Sequence, residues 1–82
     1  MYLEHHHALR VIDFATTEHH TSFVKFNGYD AVLGEKFEGE VKFVGGMPFG
    51  DVINPERSSL SFECREFVRE ILLNKYNAGE FS

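Results

Sequence analysis

Apolar and polar residues alternate along the first half of the chain and recur with helical spacing along the second half. The alternation is clearest over residues 36–44, where Phe37, Val41 and Phe43 fall on one side and charged residues fall on the other. A period of two residues is typical of a β-strand that buries one face and exposes the other. Shorter runs rich in β-branched and aromatic residues predict three further strands, at about residues 8–15, 21–26 and 29–33.

Asn27-Gly28 predicts a tight hairpin turn between the second and third strands. A two-residue type I′ turn needs positive φ at both central residues, which Asn and Gly tolerate better than other residues do. With this turn, Phe26 would face Tyr29 and Lys25 would face Asp30 across the two strands. An aromatic pair and an opposite-charge pair would then both stabilise the sheet.

The second half of the chain predicts one long helix over about residues 55–76, after a glycine-rich connector at residues 45–50. Asn54 is placed to cap the first turn of this helix, and Ser58 or Ser59 is a rival cap. With about 100° between successive residues, six side chains gather on one side and predict the face that packs on the sheet: Leu60, Cys64, Phe67, Val68, Ile71 and Leu72.

These elements predict an α+β protein, a small antiparallel β-meander of about four strands packed against one long C-terminal helix. The 82 residues supply one modest core, so residues 1–82 are expected to form a single domain. Some strand edges stay open in so small a sheet, and pairing between two copies is one way to cover them.

A second apolar stripe lies on the opposite side of the predicted helix. It consists of Phe62, Leu73 and Tyr76, with Arg69 between them. In a small fold such a stripe is either interior or ordinary exposed surface, and in an interaction domain it is a contact surface for a second copy or another protein. Phe62, Arg69, Leu73 and Tyr76 are therefore the candidate partner-binding residues.

Composition and charge indicate which partners and which cellular location to expect. Thirteen acidic and eight basic side chains give a net charge of −5, which makes nucleic acid an unfavoured partner because nonspecific binding needs Lys and Arg to displace counterions from phosphates. A single cysteine forms no internal disulfide, and the chain has no apolar run of membrane-spanning length. We therefore expect no membrane partner and a cytoplasmic location, and a phage-borne or mobile-element protein would suit so compact and acidic a chain.

Histidines are the most prominent candidates for chemistry. His5-His6-His7 and His19-His20 offer imidazoles to a metal ion, but the first predicted strand would hold the two groups about 25 Å apart. The first group also resembles part of an expression tag. Cys64 beside a histidine would be a candidate nucleophile, yet it falls on the core-facing stripe, where a free cysteine behaves as a small hydrophobe. The sequence therefore predicts no catalytic residue, metal ligand or cofactor, and we expect a protein that is not an enzyme.

One segment resembles a known fold. Residues 33–41, followed by Phe49-Gly50-Asp51-Val52, resemble the opening strands of an S1-type oligonucleotide-binding barrel, which would imply binding of single-stranded RNA on a strand face. The resemblance covers about a quarter of the chain, and the sequence enters the predicted helix where the later barrel strands should follow. We assign the chain to no family on this basis.

Three functional hypotheses follow from the sequence. The leading one is a small non-enzymatic protein-interaction domain that regulates or inhibits a larger partner by surface binding and self-associates as a homodimer. The alternative is a single-stranded nucleic-acid-binding module of barrel-like type, with Phe23, Tyr29 and Phe49 as stacking residues. The third is a metal-binding protein that uses the two histidine groups.

Overall fold

The structure, a computed structural model that describes residues 6–17 and 21–81, has four strands in one sheet followed by a C-terminal helix. The sheet has the order β1-β2-β3-β4, and every neighbouring pair is antiparallel. This arrangement confirms the predicted α+β class of a meander with one long helix. The elements are β1 Ala8–Thr16, β2 Thr21–Asp30, β3 Glu35–Val44, β4 Met47–Phe49 and α1 Phe62–Asn77, with a short 3-10 turn at Asp51–Ile53.

The hairpin turn predicted at Asn27-Gly28 is wrong. β2 continues through both residues, and the chain reverses at residues 31–34, where Gly34 takes the left-handed conformation with φ 69°. The backbone N–H of Gly34 donates to the carbonyl of Asp30 over 2.7 Å and closes this turn. The strand predicted at 29–33 therefore does not form. The fourth strand is instead β4, which lies in the segment predicted to be a flexible connector.

The pairing of β2 with β3 explains why the local turn preference loses. Lys25 opposes Glu40 instead of Asp30, and Phe26 opposes Gly39 instead of Tyr29. The long pairing places two apolar side chains of each strand on the same buried face, and burying each is worth about 1.5–3 kcal/mol. A two-residue hairpin signal contributes less than this, so tertiary packing sets the register.

The helix covers one face of the sheet. Its predicted core-facing stripe is confirmed, because Cys64, Val68 and Leu72 are fully buried while Phe67 and Ile71 are half-buried. The core also contains Val24, Phe26, Val41 and Phe43 of the strands, together with Ile53, Leu60 and Phe81. Within the described residues, no helix combines the length and apolar character that a membrane span requires.

The helix begins at Phe62, so the start predicted near residue 55 is wrong. Asn54 caps an isolated turn, in which its side chain accepts from Glu56 N–H and its carbonyl accepts from Ser58 N–H. The N-cap is Ser61, whose hydroxyl accepts from the backbone N–H of Cys64 over 3.2 Å. The buried Leu60 lies before this cap.

Gly28 allows a close approach within the sheet. A Cβ at this position would collide with the carbonyl oxygen of Ala8 and would lie 2.5 Å from the ring of Phe37. The backbone of β1 and a packed aromatic ring therefore both require a residue without a side chain here.

Replacing Gly28 with alanine is expected to lower the free energy of unfolding by about 1–3 kcal/mol, the usual cost of forcing a methyl group into a filled site. Urea unfolding measures this change. Asn27→Ala is the matched control, since Asn27 is exposed on the same strand, and it should cost less than about 0.5 kcal/mol. Similar losses in both variants would contradict a β2 strand that runs through these residues, because a hairpin turn would be damaged by either change.

Candidate functional site

The described residues leave one face of the sheet uncovered. Along β2, Val24 and Phe26 are buried under the helix while Lys25 and Asn27 are exposed on the other side. The same alternation runs along β3, and we call the uncovered side the open face. Because the helix covers the other face of the sheet, the open face is the side that the strands present to solvent among the described residues.

Four apolar side chains gather at one end of the open face. Phe23 of β2 and Phe49 of β4 both pair with Lys42 of β3, so the two rings flank this lysine across neighbouring strands. Val44 and Met47 pair with each other one step along the strands and lie on the same side. We call these four residues with Lys42 the open-face cluster.

The open-face cluster is accessible to a partner. Val44 is 41% exposed, and Met47 and Phe49 are each 54% exposed, while Phe23 is half-buried. Single exposed apolar side chains are ordinary on a protein surface. Four that adjoin one another with a lysine among them form a patch, and such patches are typical of interaction sites.

The charges of the chain are unevenly distributed. Every Lys and Arg of the strands lies on the open face, which carries four basic and three acidic side chains: Arg10, Lys25, Lys36, Lys42, Asp13, Glu38 and Glu40. The other described residues carry four basic and eight acidic side chains. The open face is thus close to neutral on a protein that is otherwise strongly acidic, so the long-range repulsion that opposes anionic partners is weakest there.

A shallow groove of about 580 Å³ lies at the other end of the sheet, among residues of β1, β2 and β3. Arg10, Asn27, Tyr29 and Lys36 are among the residues that line it. The three rings predicted to stack on bases, at positions 23, 29 and 49, therefore share one face of the sheet with all the basic side chains of the strands.

The helix stripe predicted for partner binding is divided between surface and core. Phe62 is 65% exposed, with the guanidinium of Arg65 lying 5.1 Å from its ring centroid, and Arg69 is exposed. Leu73 and Tyr76 are half-buried and pack against the core, where the Tyr76 ring stacks on Phe43. Phe62 and Arg69 are thus exposed to a partner. Leu73 and Tyr76, the other two candidates, are only partly exposed because they also pack against the core.

A buried carboxylate holds the turn after β2 to the start of the helix. Asp30 is fully buried and accepts hydrogen bonds from the backbone N–H groups of Val32 and Leu33. It also accepts from the backbone N–H of Ser61 over 2.7 Å and from the Ser61 hydroxyl over 2.9 Å. Ser61 is the helix N-cap, so Asp30 fixes the place where the helix begins.

These hydrogen bonds determine the ionisation of Asp30. Burial acts to raise the pKa of its carboxyl, but the hydrogen bonds from Ser61, Leu33 and Val32 together outweigh burial and lower the pKa below its ordinary value of 3.8. Asp30 is therefore a carboxylate at neutral pH.

His7 and Cys64 complete a cluster around this carboxylate. The Nδ1 atom of His7 accepts from the backbone N–H of Ala31 over 3.1 Å and lies 4.0 Å from Oδ1 of Asp30. The Cys64 thiol points toward the carbonyl of Tyr29, with Sγ 3.9 Å from the oxygen. The ligand atoms of His7, Asp30 and Cys64 all lie within 4.8 Å of one another.

The environment of Cys64 suppresses its reactivity. Burial and then the negative charge of Asp30 raise the pKa of the Cys64 thiol to about 11. The thiol is therefore protonated at neutral pH, and the thiolate is the reactive form. His7 does not act as a base toward it through Nδ1, because that atom already accepts a hydrogen bond from Ala31. A histidine does lie near the cysteine, but the pair is not arranged as an activated nucleophile.

Sequence reasoning missed His7 and Asp30 as members of one site. Asp at a strand end before a glycine-containing turn is a usable signal for a side chain that accepts turn N–H groups. Nothing in the sequence links that aspartate to His7, which precedes β1, or to Ser61. Of the two histidine groups that the third hypothesis would use to bind a metal ion, His5, His19 and His20 lie outside the described residues.

Comparison with known proteins finds no matching family model, curated protein or solved structure. The resemblance to an S1-type barrel is not supported by the topology. Within the described residues, β1 and β4 are the two edges of an open sheet, and the chain then continues into the helix.

Replacing Asp30 with asparagine is expected to lower the free energy of unfolding at neutral pH by at least about 2 kcal/mol, because hydrogen bonds to a buried charge are lost and an amide NH₂ group faces donors. The folded-state pKa of Asp30 is lowered, so its contribution is present above pH 3.8 and disappears as the pH falls through the lowered value. Wild-type stability should therefore fall on acidification more steeply than that of Asp30→Asn.

Asp13→Asn is the control for this comparison, since Asp13 is exposed and its side chain accepts only from the neighbouring Phe14 N–H among the hydrogen bonds of the described residues. It should change the free energy of unfolding by less than about 0.5 kcal/mol. Equal effects of the two substitutions, measured by urea unfolding from neutral to acidic pH, would contradict the role assigned to Asp30.

Proposed function

We propose that the protein is a small non-enzymatic protein-interaction domain that acts by surface binding through the open face of its sheet. The observation that carries this proposal is the open-face cluster, in which four adjoining apolar side chains surround Lys42 on the side of the sheet that the helix does not cover. Apolar anchors around a charged side chain are typical of the energetic centres of protein interfaces. Regulation or inhibition of a larger partner in the cytoplasm is the role that we propose for such a surface.

A second copy of the chain is the partner that the open face fits most directly. Outside this face the described residues carry eight acidic and four basic side chains, so contacts between other surfaces of two copies bring like charges together. The open face has nearly balanced charges, and its Lys42 can meet the acidic side chains at positions 38 and 40 of a second copy. A homodimer through this face would bury the open-face cluster without uniting two acidic surfaces.

The dimer is tested by light scattering over a range of protein concentrations at physiological salt. We expect a dimer that Phe49→Asp dissociates, with association weakened at least about thirtyfold, because a central interface residue contributes 2 kcal/mol or more. At concentrations where both proteins are monomeric, unfolding of Phe49→Asp should stay within about 0.5 kcal/mol of wild type, since Phe49 is exposed.

Two further variants locate the interface. Leu33→Asp is the matched control and should leave association unchanged, because Leu33 is 47% exposed in the turn at the opposite end of the β2–β3 pair from the open-face cluster. Phe62→Asp tests the helix surface. Loss of the dimer in Phe62→Asp alone would assign the interface to Phe62 and Arg69 instead, and a monomer at every concentration would refute self-association.

Single-stranded nucleic acid is the second candidate partner. It is favoured by one observation, that Phe23, Tyr29 and Phe49 lie on the same face as every basic side chain of the strands. Aromatic rings on a sheet surface stack on bases, and interleaved cations contact phosphates. The three acidic side chains on the face count against it.

Fluorescence anisotropy with labelled single-stranded RNA and DNA at low salt tests this second function. We expect binding that weakens steeply with added salt, and Phe49→Ala should reduce affinity about tenfold, since stacking contributes about 1–3 kcal/mol per base. Phe62→Ala, which removes an exposed ring from the helix instead of the sheet, should have no effect. An unchanged anisotropy at low salt would eliminate nucleic acid as a partner.

A further inference from the structure

Three side chains of different ligand chemistry converge at the start of the helix. His7 precedes β1, Asp30 ends β2 and Cys64 lies in the first turn of α1, so three separate parts of the chain each contribute one ligand atom. These atoms lie within 4.8 Å of one another. Nitrogen, oxygen and sulfur ligands of these three kinds are the set that Zn²⁺ uses in proteins.

The carboxylate in this cluster lacks a cationic partner among the described residues. Asp30 is fully buried, and no Lys or Arg in the described ranges forms an ion pair with it. His7 is its nearest basic group, and the Nδ1 of His7 accepts a hydrogen bond instead of carrying a proton toward Asp30. Among the described residues, hydrogen bonds therefore balance the charge of Asp30 without a Lys or Arg, and a bound cation would supply the counter-charge that buried carboxylates usually have.

We propose that His7, Asp30 and Cys64 form a binding site for a divalent transition-metal ion, with Zn²⁺ as the best match. On binding, the Cys64 thiol loses its proton to solvent and coordinates as a thiolate, Asp30 coordinates as a carboxylate and His7 as a neutral imidazole. The two negative charges balance the ion, so the buried site becomes neutral. The proposal is independent of the open face and of any partner bound there.

The surroundings of the cluster meet two further requirements of a metal site. The four hydrogen bonds from Val32, Leu33 and Ser61 would hold the Asp30 carboxylate in place, as outer-shell partners of ligating carboxylates do. His7 is 15% exposed at its side chain and forms the solvent side of the cluster, which gives the ion a route of entry. Binding would use the imidazole lone pair that now accepts from Ala31 N–H, so this hydrogen bond is exchanged for the metal bond.

Titration with Co²⁺ tests the proposal. We expect one Co²⁺ per chain and a sulfur-to-cobalt charge-transfer absorption, which this protein can produce through Cys64 alone because it has one cysteine. Zn²⁺ should displace Co²⁺, bleach the absorption and raise the unfolding temperature, since a ligand that binds the folded state stabilises it. One proton per Zn²⁺ should be released, as measured by calorimetry in buffers of different ionisation enthalpy.

Variants separate this site from metal capture by the histidine run. His7→Ala should weaken binding at least tenfold, and Cys64→Ser should abolish the charge-transfer absorption. The double variant His5→Ala/His6→Ala is the control and should keep both. Cys64 is buried, so its substitution can unfold the chain. The His7→Ala variant is the second test, because the His7 side chain lies at the edge of the cluster.

Three results would overturn the proposal. The first is Co²⁺ binding without the charge-transfer absorption, which would place the ion on histidines alone. The second is a stoichiometry of two chains per ion, which would indicate thiolates from separate molecules. The third is an absorption and affinity that His7→Ala leaves unchanged.

Discussion

The carboxylate of Asp30 is the interaction on which the rest of the structure depends. It is buried at the end of β2, and its four hydrogen bonds join the turn that leads into β3 to the N-cap of the helix. Breaking any of these bonds leaves a donor or the charge itself unsatisfied in the interior, where such groups are costly. The register of the sheet and the position of the helix are thereby coupled through one side chain.

The size of the chain imposes the second constraint. A protein of 82 residues supplies one long helix, and that helix buries one face of the four-stranded sheet. The opposite face therefore stays in contact with solvent unless a partner covers it. Polar and charged residues occupy most of this face, but the open-face cluster does not follow that pattern. This departure from a solvated face is the structural reason for proposing an interaction function.

The surroundings of Asp30 also decide what chemistry is available near Cys64. The buried carboxylate and the apolar core together keep the thiol protonated, which removes it as a nucleophile. Because Cys64 lies close to Asp30, its sulfur atom is also near the ligand atoms of His7 and Asp30. The negative charge of Asp30 disfavours the Cys64 thiolate, whereas a bound divalent ion would favour it. One arrangement thus opposes covalent catalysis and permits coordination.

Local periodicity along the chain is enough to predict part of this fold. The alternation in β3 and the core-facing stripe of the helix follow from which positions must be buried, and both are read directly from the residues. The α+β class follows from these two elements. The open face was also implicit in the charged side of β3, although the sequence did not show that Phe23 and Phe49 would flank Lys42.

The tertiary structure alone decided the features that depend on distant residues. Asn27-Gly28 is a strong turn signal, yet long pairing with β3 keeps both residues in a strand because it buries more apolar surface. Asn54 is a good local cap, but the helix begins at Phe62 and is capped by Ser61, whose backbone N–H donates to the Asp30 carboxylate. The cluster of His7, Asp30 and Cys64 is assembled from three parts of the chain, and the spacing of residues along the sequence does not predict that they are close in space. Local patterns encode which side of an element is buried, whereas contacts between elements decide where each element begins, ends and finds its partners.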